Sequence, residues 1–177
     1  MNILKEKNKQ FLFDFLSVID KKLKYKIILV AAGGTAMTLL DIKNSTRDVD
    51  FTGPSKDIEE FKRTLSFFST GLEIHCWKDG RVFTQDLPED YLIKSIRINF
   101  IAGNIELMAL HPLDIIVTKV GRYNARDVQD IKDCINWYKI DKNSIYKRGI
   151  KVLETYPGND KVYLLNLDQC INDNFNL

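Results

Sequence analysis

The chain has 177 residues, 45% of them hydrophobic and 28% charged, with a formal net charge of +2. That length suits one domain, or one domain with a small appendage, and the composition excludes a largely disordered chain. With so little net charge, any nucleic-acid affinity has to come from local clusters of Lys and Arg.

Phe11, Phe15, Val18 and Ile19 share helical spacing, which predicts a first helix laid on the core. Asp14 interrupts the apolar residues and no small-residue cleavage site follows, so this segment does not read as a signal peptide. No stretch approaches the ~20 apolar residues needed to span a bilayer. Cys76, Cys134 and Cys170 lie far apart and outside any CxxC. These features together predict a cytoplasmic protein with free thiols and no membrane partner.

Lys26 to Ala32 form a continuous apolar run of strand length, ended by Gly33-Gly34. Residues 35–42 suit a short helix starting at the glycines. Residues 48–53, DVDFTG, read as a strand closed by Gly53-Pro54, and a helix follows with Ser55 as its expected N-cap. Next, GLEIHCW (71–77) and GRVFTQ (80–85) read as strands around an Asp79-Gly80 turn. Residues 94–110 read as a hairpin turning at Ala102-Gly103-Asn104. From His111 onward the pattern is helical, and Pro112 suits a first helical turn, where it gives up no hydrogen bond. The expected fold class is α/β (α+β): a mixed sheet core flanked by helices over residues 1–110, with a C-terminal helical segment over 111–177 packed on it.

Asp48 and Asp50 stand at i and i+2, which in a strand places both on one face. Two like charges so close raise each other's cost of ionisation, and a divalent cation between them removes it. Hard cations such as Mg²⁺ take one or two carboxylates plus substrate phosphates. The glycines suit the same chemistry. Gly33 and Gly34 let phosphates approach backbone N–H groups, and Thr35 and Thr38 stand ready to add hydroxyl contacts to a triphosphate. Neither a Walker motif nor a GxGxxG fingerprint is present. Arg47 beside the aspartates either balances their charge or touches phosphate. The two histidines, His75 and His111, are too separated to suggest a metal pair, and His111 before Pro112 reads as structural.

Gly-Gly, thirteen residues, then Asp-x-Asp, with the wording STRDVDF at Ser45 to Phe51, resembles the signature of the polymerase-β-like nucleotidyltransferase superfamily. Residues 104–131, NIELMALHPLDIIVTKVGRYNARDVQDI, resemble one branch of it, the AbiE-type and MenT-like toxin nucleotidyltransferases. The resemblance covers about Ile28 to Tyr138 and implies a nucleotidyltransferase-type fold. It also implies a Mg²⁺-dependent transfer of a nucleoside monophosphate from an NTP to an acceptor. In that family the glycine turn holds the triphosphate and the paired aspartates bind Mg²⁺. Carried over by residue, Glu106 takes the place of a third acid where relatives more often carry Asp, Lys119 takes that of a lysine, and Arg126, Asp127 and Asp130 take the last motif. Two Mg²⁺ ions, about 3.5–4 Å apart, would then sit on Asp48, Asp50 and Glu106. The implied acceptor is RNA, typically tRNA, and the implied partner a cognate antitoxin.

Other uses of these residues are open from the sequence. Lys119 follows an apolar stretch from which it can snorkel, and Asp127 and Asp130 suit surface pairing at i, i+3. Lys139, Lys142, Lys147, Arg148 and Lys151 either track a phosphate backbone or form a solvated face. A non-catalytic nucleotide-binding or antitoxin-like module and a metal-dependent nuclease are the alternatives on the same fold.

Overall fold

In the computed structural model, residues 7–175 are described. Strand β1 (Lys7–Asn8) leads into helix α1 (Lys9–Asp20), whose first turn is capped where Asn8 Oδ1 accepts from the Phe11 amide at 2.8 Å. The helix lies on the core by a face that overlaps the expected one: Ile19 is buried as expected and Phe15 packs against the core, but Leu12 and Leu16 are fully buried beside them and Val18 is exposed. Its last residue, Asp20, accepts from the amides of Gly103, Asn104 and Ile105 at 3.0, 2.7 and 2.9 Å, which pins the predicted 102–104 turn.

Strand β2 (Ile27–Ala31) is followed by α2 (Gly33–Leu39), β3 (Ser45–Thr46), β4 (Val49–Thr52), α3 (Ser55–Leu65) and β5 (Ile74–Cys76). Pro54, not Ser55, holds the N-cap position of α3. Ser55 is the first helical residue, and its amide and hydroxyl both donate to Asp79, the amide at 2.8 Å. The GRVFTQ strand folds back on itself as a small hairpin, β6 (Arg81–Val82) and β7 (Gln85–Asp86), because Phe83 at its tip takes a left-handed φ of +56°. A one-turn helix that the sequence pattern does not announce, α4 (Tyr91–Lys94), precedes β8 (Ile96–Arg97) and β9 (Ile105–Ala109). Four helices complete the chain: α5 (Pro112–Val120), α6 (Ala125–Tyr138), α7 (Lys142–Leu153) and α8 (Asp160–Phe175).

The main sheet has the order β5-β4-β2-β9-β8. It is mixed: β2 runs parallel to β9 and antiparallel to β4, while β4 and β5 are parallel. The apolar run of β2 is explained by its central place, since Ile27, Leu29, Val30 and Ala31 are all buried. One hydrophobic cluster extends from Leu12 in α1 to Cys170 in α8, so the helical segment shares its core with the sheet. The observed α/β architecture, a mixed sheet with flanking helices and helices again at the C-terminal end, is the one expected. Among the described residues no helix is long and apolar enough to cross a membrane.

Two charged clusters fix the helices. Arg148 in α7 is buried, donating to Asp114 of α5 from Nε at 2.6 Å and from Nη2 at 3.1 Å, and to Asp90 from Nη1 at 2.6 Å. It is therefore a structural brace, not a member of a solvated basic stripe. On the other side, Glu60 of α3 accepts from Arg63 Nε at 2.8 Å and from the Lys24 amide at 2.8 Å. The hydrogen bonds from Arg63 hold the Glu60 carboxyl down at about 2 against the opposing effect of burial, with the Lys24 amide helping. A carboxyl held low in the folded state stabilises above its ordinary value of 4.5, and that contribution is lost as pH falls from there toward about 2. Thermal melts between pH 6 and pH 3 are expected to fall more steeply for the wild type than for Glu60→Gln; parallel curves would contradict this.

Candidate active site

A cavity of about 750 Å³ opens where the start of α2, the loop before β4, and helices α5 and α6 meet. Gly33 and Gly34 line it from α2, Arg47, Asp48 and Asp50 from the β3–β4 segment, and Lys119, Arg126, Asp127 and Asp130 from α5 and α6. Residues far apart in the chain thus meet at one wall-to-wall site.

The strand side is built from β4. Asp50 lies in the strand with 4% of its surface exposed, while Asp48 precedes the strand and is exposed. Burial pushes the Asp50 carboxyl above the ordinary carboxylate range and the Asp48 charge adds to this; His75 and Lys119 oppose it. His75 Nδ1 stands 3.1 Å from Asp50 Oδ1, and its Nε2 lies 3.3 Å from Glu73 Oε1. Parallel pairing of β4 with β5 places Asp50 directly opposite His75.

The glycines act by what they lack. Gly33 has φ +51°, and a Cβ there would stand 3.1 Å from Asp50 Oδ2. At Gly34 a Cβ would stand 2.6 Å from Thr46 Oγ1, so any side chain there would have to displace the Thr46 hydroxyl. The threonines have different work from that expected. The Thr35 hydroxyl donates to Asp48 O at 3.1 Å and accepts from the Asp50 amide at 2.9 Å, and Thr38 donates to Gly34 O at 2.9 Å. Both are buried and neither lines the cavity. Thr35 ties the helix to the aspartate segment instead of offering a hydroxyl to a ligand.

The helix side is an alternating chain of charges. Lys119, itself 5% exposed, places Nζ 2.8 Å from Asp130 Oδ2 and 3.2 Å from Asp127 Oδ1. Lys43, from the loop after α2, reaches Asp130 Oδ1 at 2.7 Å, and Arg122 reaches Asp127 Oδ1 at 2.9 Å. Burial alone would raise the Asp130 carboxyl, but Lys119 and Lys43 outweigh it and hold it below its ordinary value. Asp127 Oδ2 is buried without a hydrogen-bond partner among the described residues. Asn124 starts α6 by accepting from the amides of Arg126 and Asp127 at 3.0 and 3.1 Å, which fixes where both side chains begin. Arg47 and Arg126 are exposed, and neither forms an ion pair among the described residues.

Glu106 is not part of this arrangement. On β9 it lies opposite Ile28, whereas Asp50 lies at the level of Ala32, whose amide donates to Asp50 O at 2.9 Å. Four residues of strand separate the two levels, roughly 13 Å at ~3.3 Å per residue. The Glu106 side chain is 46% exposed and faces Arg97 at 3.9 Å. Lys43, Arg122, His75 and Phe83 are the site residues that sequence reasoning did not find. Arg122 alone carried a local signal, standing three positions after Lys119 in the turn that follows α5.

Whether these residues suit Mg²⁺ follows from the donor set. No group of three His, Cys, Asp or Glu side chains among the described residues stands close enough to hold a metal by itself. Mg²⁺ that keeps its waters and takes phosphate oxygens needs only one or two carboxylates. Asp48 and Asp50 therefore suit one ion arriving with a triphosphate; they do not suit a three-acid, two-ion centre, because Glu106 is elsewhere.

The family described as "Nucleotidyltransferase of unknown function (DUF6036)" matches residues 10–164, and the chain belongs to it. No curated protein matches the chain. Among solved structures, an antigenic nucleotidyltransferase-like protein from Paracoccidioides brasiliensis aligns at 13% identity and a TM-score of 0.49, over 96% of this chain and 91% of that one.

Proposed function

We propose that this chain, as a member of that nucleotidyltransferase family, moves a nucleoside monophosphate from an NTP to an acceptor hydroxyl and releases pyrophosphate. The observation that carries this is the meeting of Gly33-Gly34, Asp48, Asp50 and Lys119 in one cavity large enough for a nucleotide. A Mg²⁺ ion bound with the triphosphate on Asp48 and Asp50 would supply charge neutralisation at the transferred phosphate. Lys119, held rigid between two carboxylates, keeps a fixed positive charge at the cavity floor. Arg47 and Arg126, exposed and without ion pairs among the described residues, suit the outer phosphates. Gly33 leaves room for the Asp50 carboxylate beside the helix start.

The finer assignment follows the AbiE-type and MenT-like resemblance: an RNA acceptor such as tRNA, and a toxin held by a cognate antitoxin. It is supported by the residue match at Lys119, Arg126, Asp127 and Asp130. The displaced Glu106 favours a second reading, a module that binds the nucleotide without transferring it. Incubating the protein with total tRNA, MgCl₂ and each α-³²P-labelled NTP decides between them. Label on RNA establishes transfer and names the nucleotide. Magnesium-dependent NTP binding with no label on RNA or protein sinks transfer and leaves the binding module, and shortening of the tRNA in a parallel incubation without any NTP would indicate a nuclease.

A further inference from the structure

We propose that Arg122 is the platform on which the nucleobase stacks, a reading that rests on the nucleotide site above. The Arg122 guanidinium lies over the Phe83 ring, 4.1 Å from its centroid, and its Nη2 donates to Asp127 Oδ1 at 2.9 Å. One face is therefore laid on a ring and one edge is tied to a carboxylate. The side chain is still 39% exposed and lines the cavity, so its remaining surface opens to whatever the cavity holds.

The support behind it is rigid. Phe83 stands at the tip of the β6–β7 hairpin with φ +56°, a conformation a bulky residue adopts only when its surroundings impose it. Trp77 packs against Phe83 at 5.0 Å between ring centroids, and His75 stacks on Trp77 at 5.6 Å and reaches Asp50. Phe83 is the one aromatic residue among those lining the cavity, and Arg122 covers a face of its ring. A flat, π-rich base thus finds its stacking surface on the guanidinium itself. Planar guanidinium groups stack on π faces, whereas an ammonium is a compact, strongly hydrated charge. Arg47 and Arg126 differ in forming no ion pair among the described residues, which leaves them free for phosphate contacts.

The test compares two probes on the full chain with Mg²⁺ present: an NTP and inorganic tripolyphosphate, which has the phosphates but no base. Arg122→Lys keeps the charge and can keep the Asp127 pair; Phe83→Leu removes the ring that holds the guanidinium flat. Each variant is expected to bind NTP about tenfold more weakly, the scale of losing one stacked base, with tripolyphosphate binding within about twofold of wild type. Equal loss for both probes would make Arg122 a phosphate contact and overturn the proposal, as would unchanged NTP binding. A wild type that binds neither probe removes the nucleotide site itself, and this inference with it; wild-type binding unaltered by the variants removes this inference alone.

Discussion

Replacing Asp50 by asparagine is expected to lower magnesium-dependent nucleotidyl transfer ~10²–10³-fold, the scale seen when one preorganised electrostatic group at the reacting centre is lost. The fold should survive. Asparagine is nearly isosteric, still reaches His75 across the 3.1 Å gap, and still sits beside Gly33 without a clash. Moreover, burial and the Asp48 charge already push the Asp50 carboxyl upward, so removing that charge relieves a cost in the empty protein. The variant should therefore melt at or above the wild-type temperature while losing activity. Transfer within about tenfold of wild type would remove Asp50 from the site. Lost activity together with a lowered melting temperature would show that the carboxylate serves the fold and not the chemistry.

The largest expected effect on stability lies away from the cavity, at Arg148→Met. This change strands Asp114, whose side chain is 1% exposed and has Arg148 as its ion-pair partner. Removing one member of a buried pair costs about 3–5 kcal/mol, or roughly 6–20 °C in melting temperature for a chain of this size. Burial holds the Asp114 carboxyl above its ordinary value even with Arg148 present, so the defect should shrink as pH falls and that carboxyl takes up a proton. A double replacement, Asp114→Leu with Arg148→Met, is expected to recover most of the loss, since both charges are then gone. A single variant as stable as wild type would mean the brace contributes nothing, and a double variant no better than the single would place the cost in packing. Because Asp114 and Lys119 share α5, the single variant should also weaken nucleotide binding.

Much of the fold was legible because its signals are local. The unbroken apolar run of β2 follows from its central position, and the His111-Pro112 start of α5 was readable: His111 Nδ1 accepts from the Leu113 amide at 3.1 Å, as a structural residue would. The spacing from the glycines to the aspartates was equally readable, and both line the cavity. Glu106 shows the limit. A motif supplies a residue type, but the register of β9 against β2 decides how far along the sheet it lies, and register depends on pairing across some 80 residues. Thr35 shows another: a buried hydroxyl beside free backbone groups pairs with them, and sequence alone does not reveal that they are near. His75, Lys43 and Arg122 owe their places to partners on other elements, as does the left-handed turn at Phe83.

The assembly of the cavity from distant segments has a consequence for biosynthesis. Asp50 leaves the ribosome roughly 80 residues before Asp130, about 4–16 s earlier at ~5–20 residues per second. Lys119 gains its two carboxylate partners only once α6 has emerged, and α5 gains its brace only with α7. A growing chain therefore displays its paired aspartates for seconds before the carboxylate-held lysine beside them is in place, and the cavity is complete only with the helical segment.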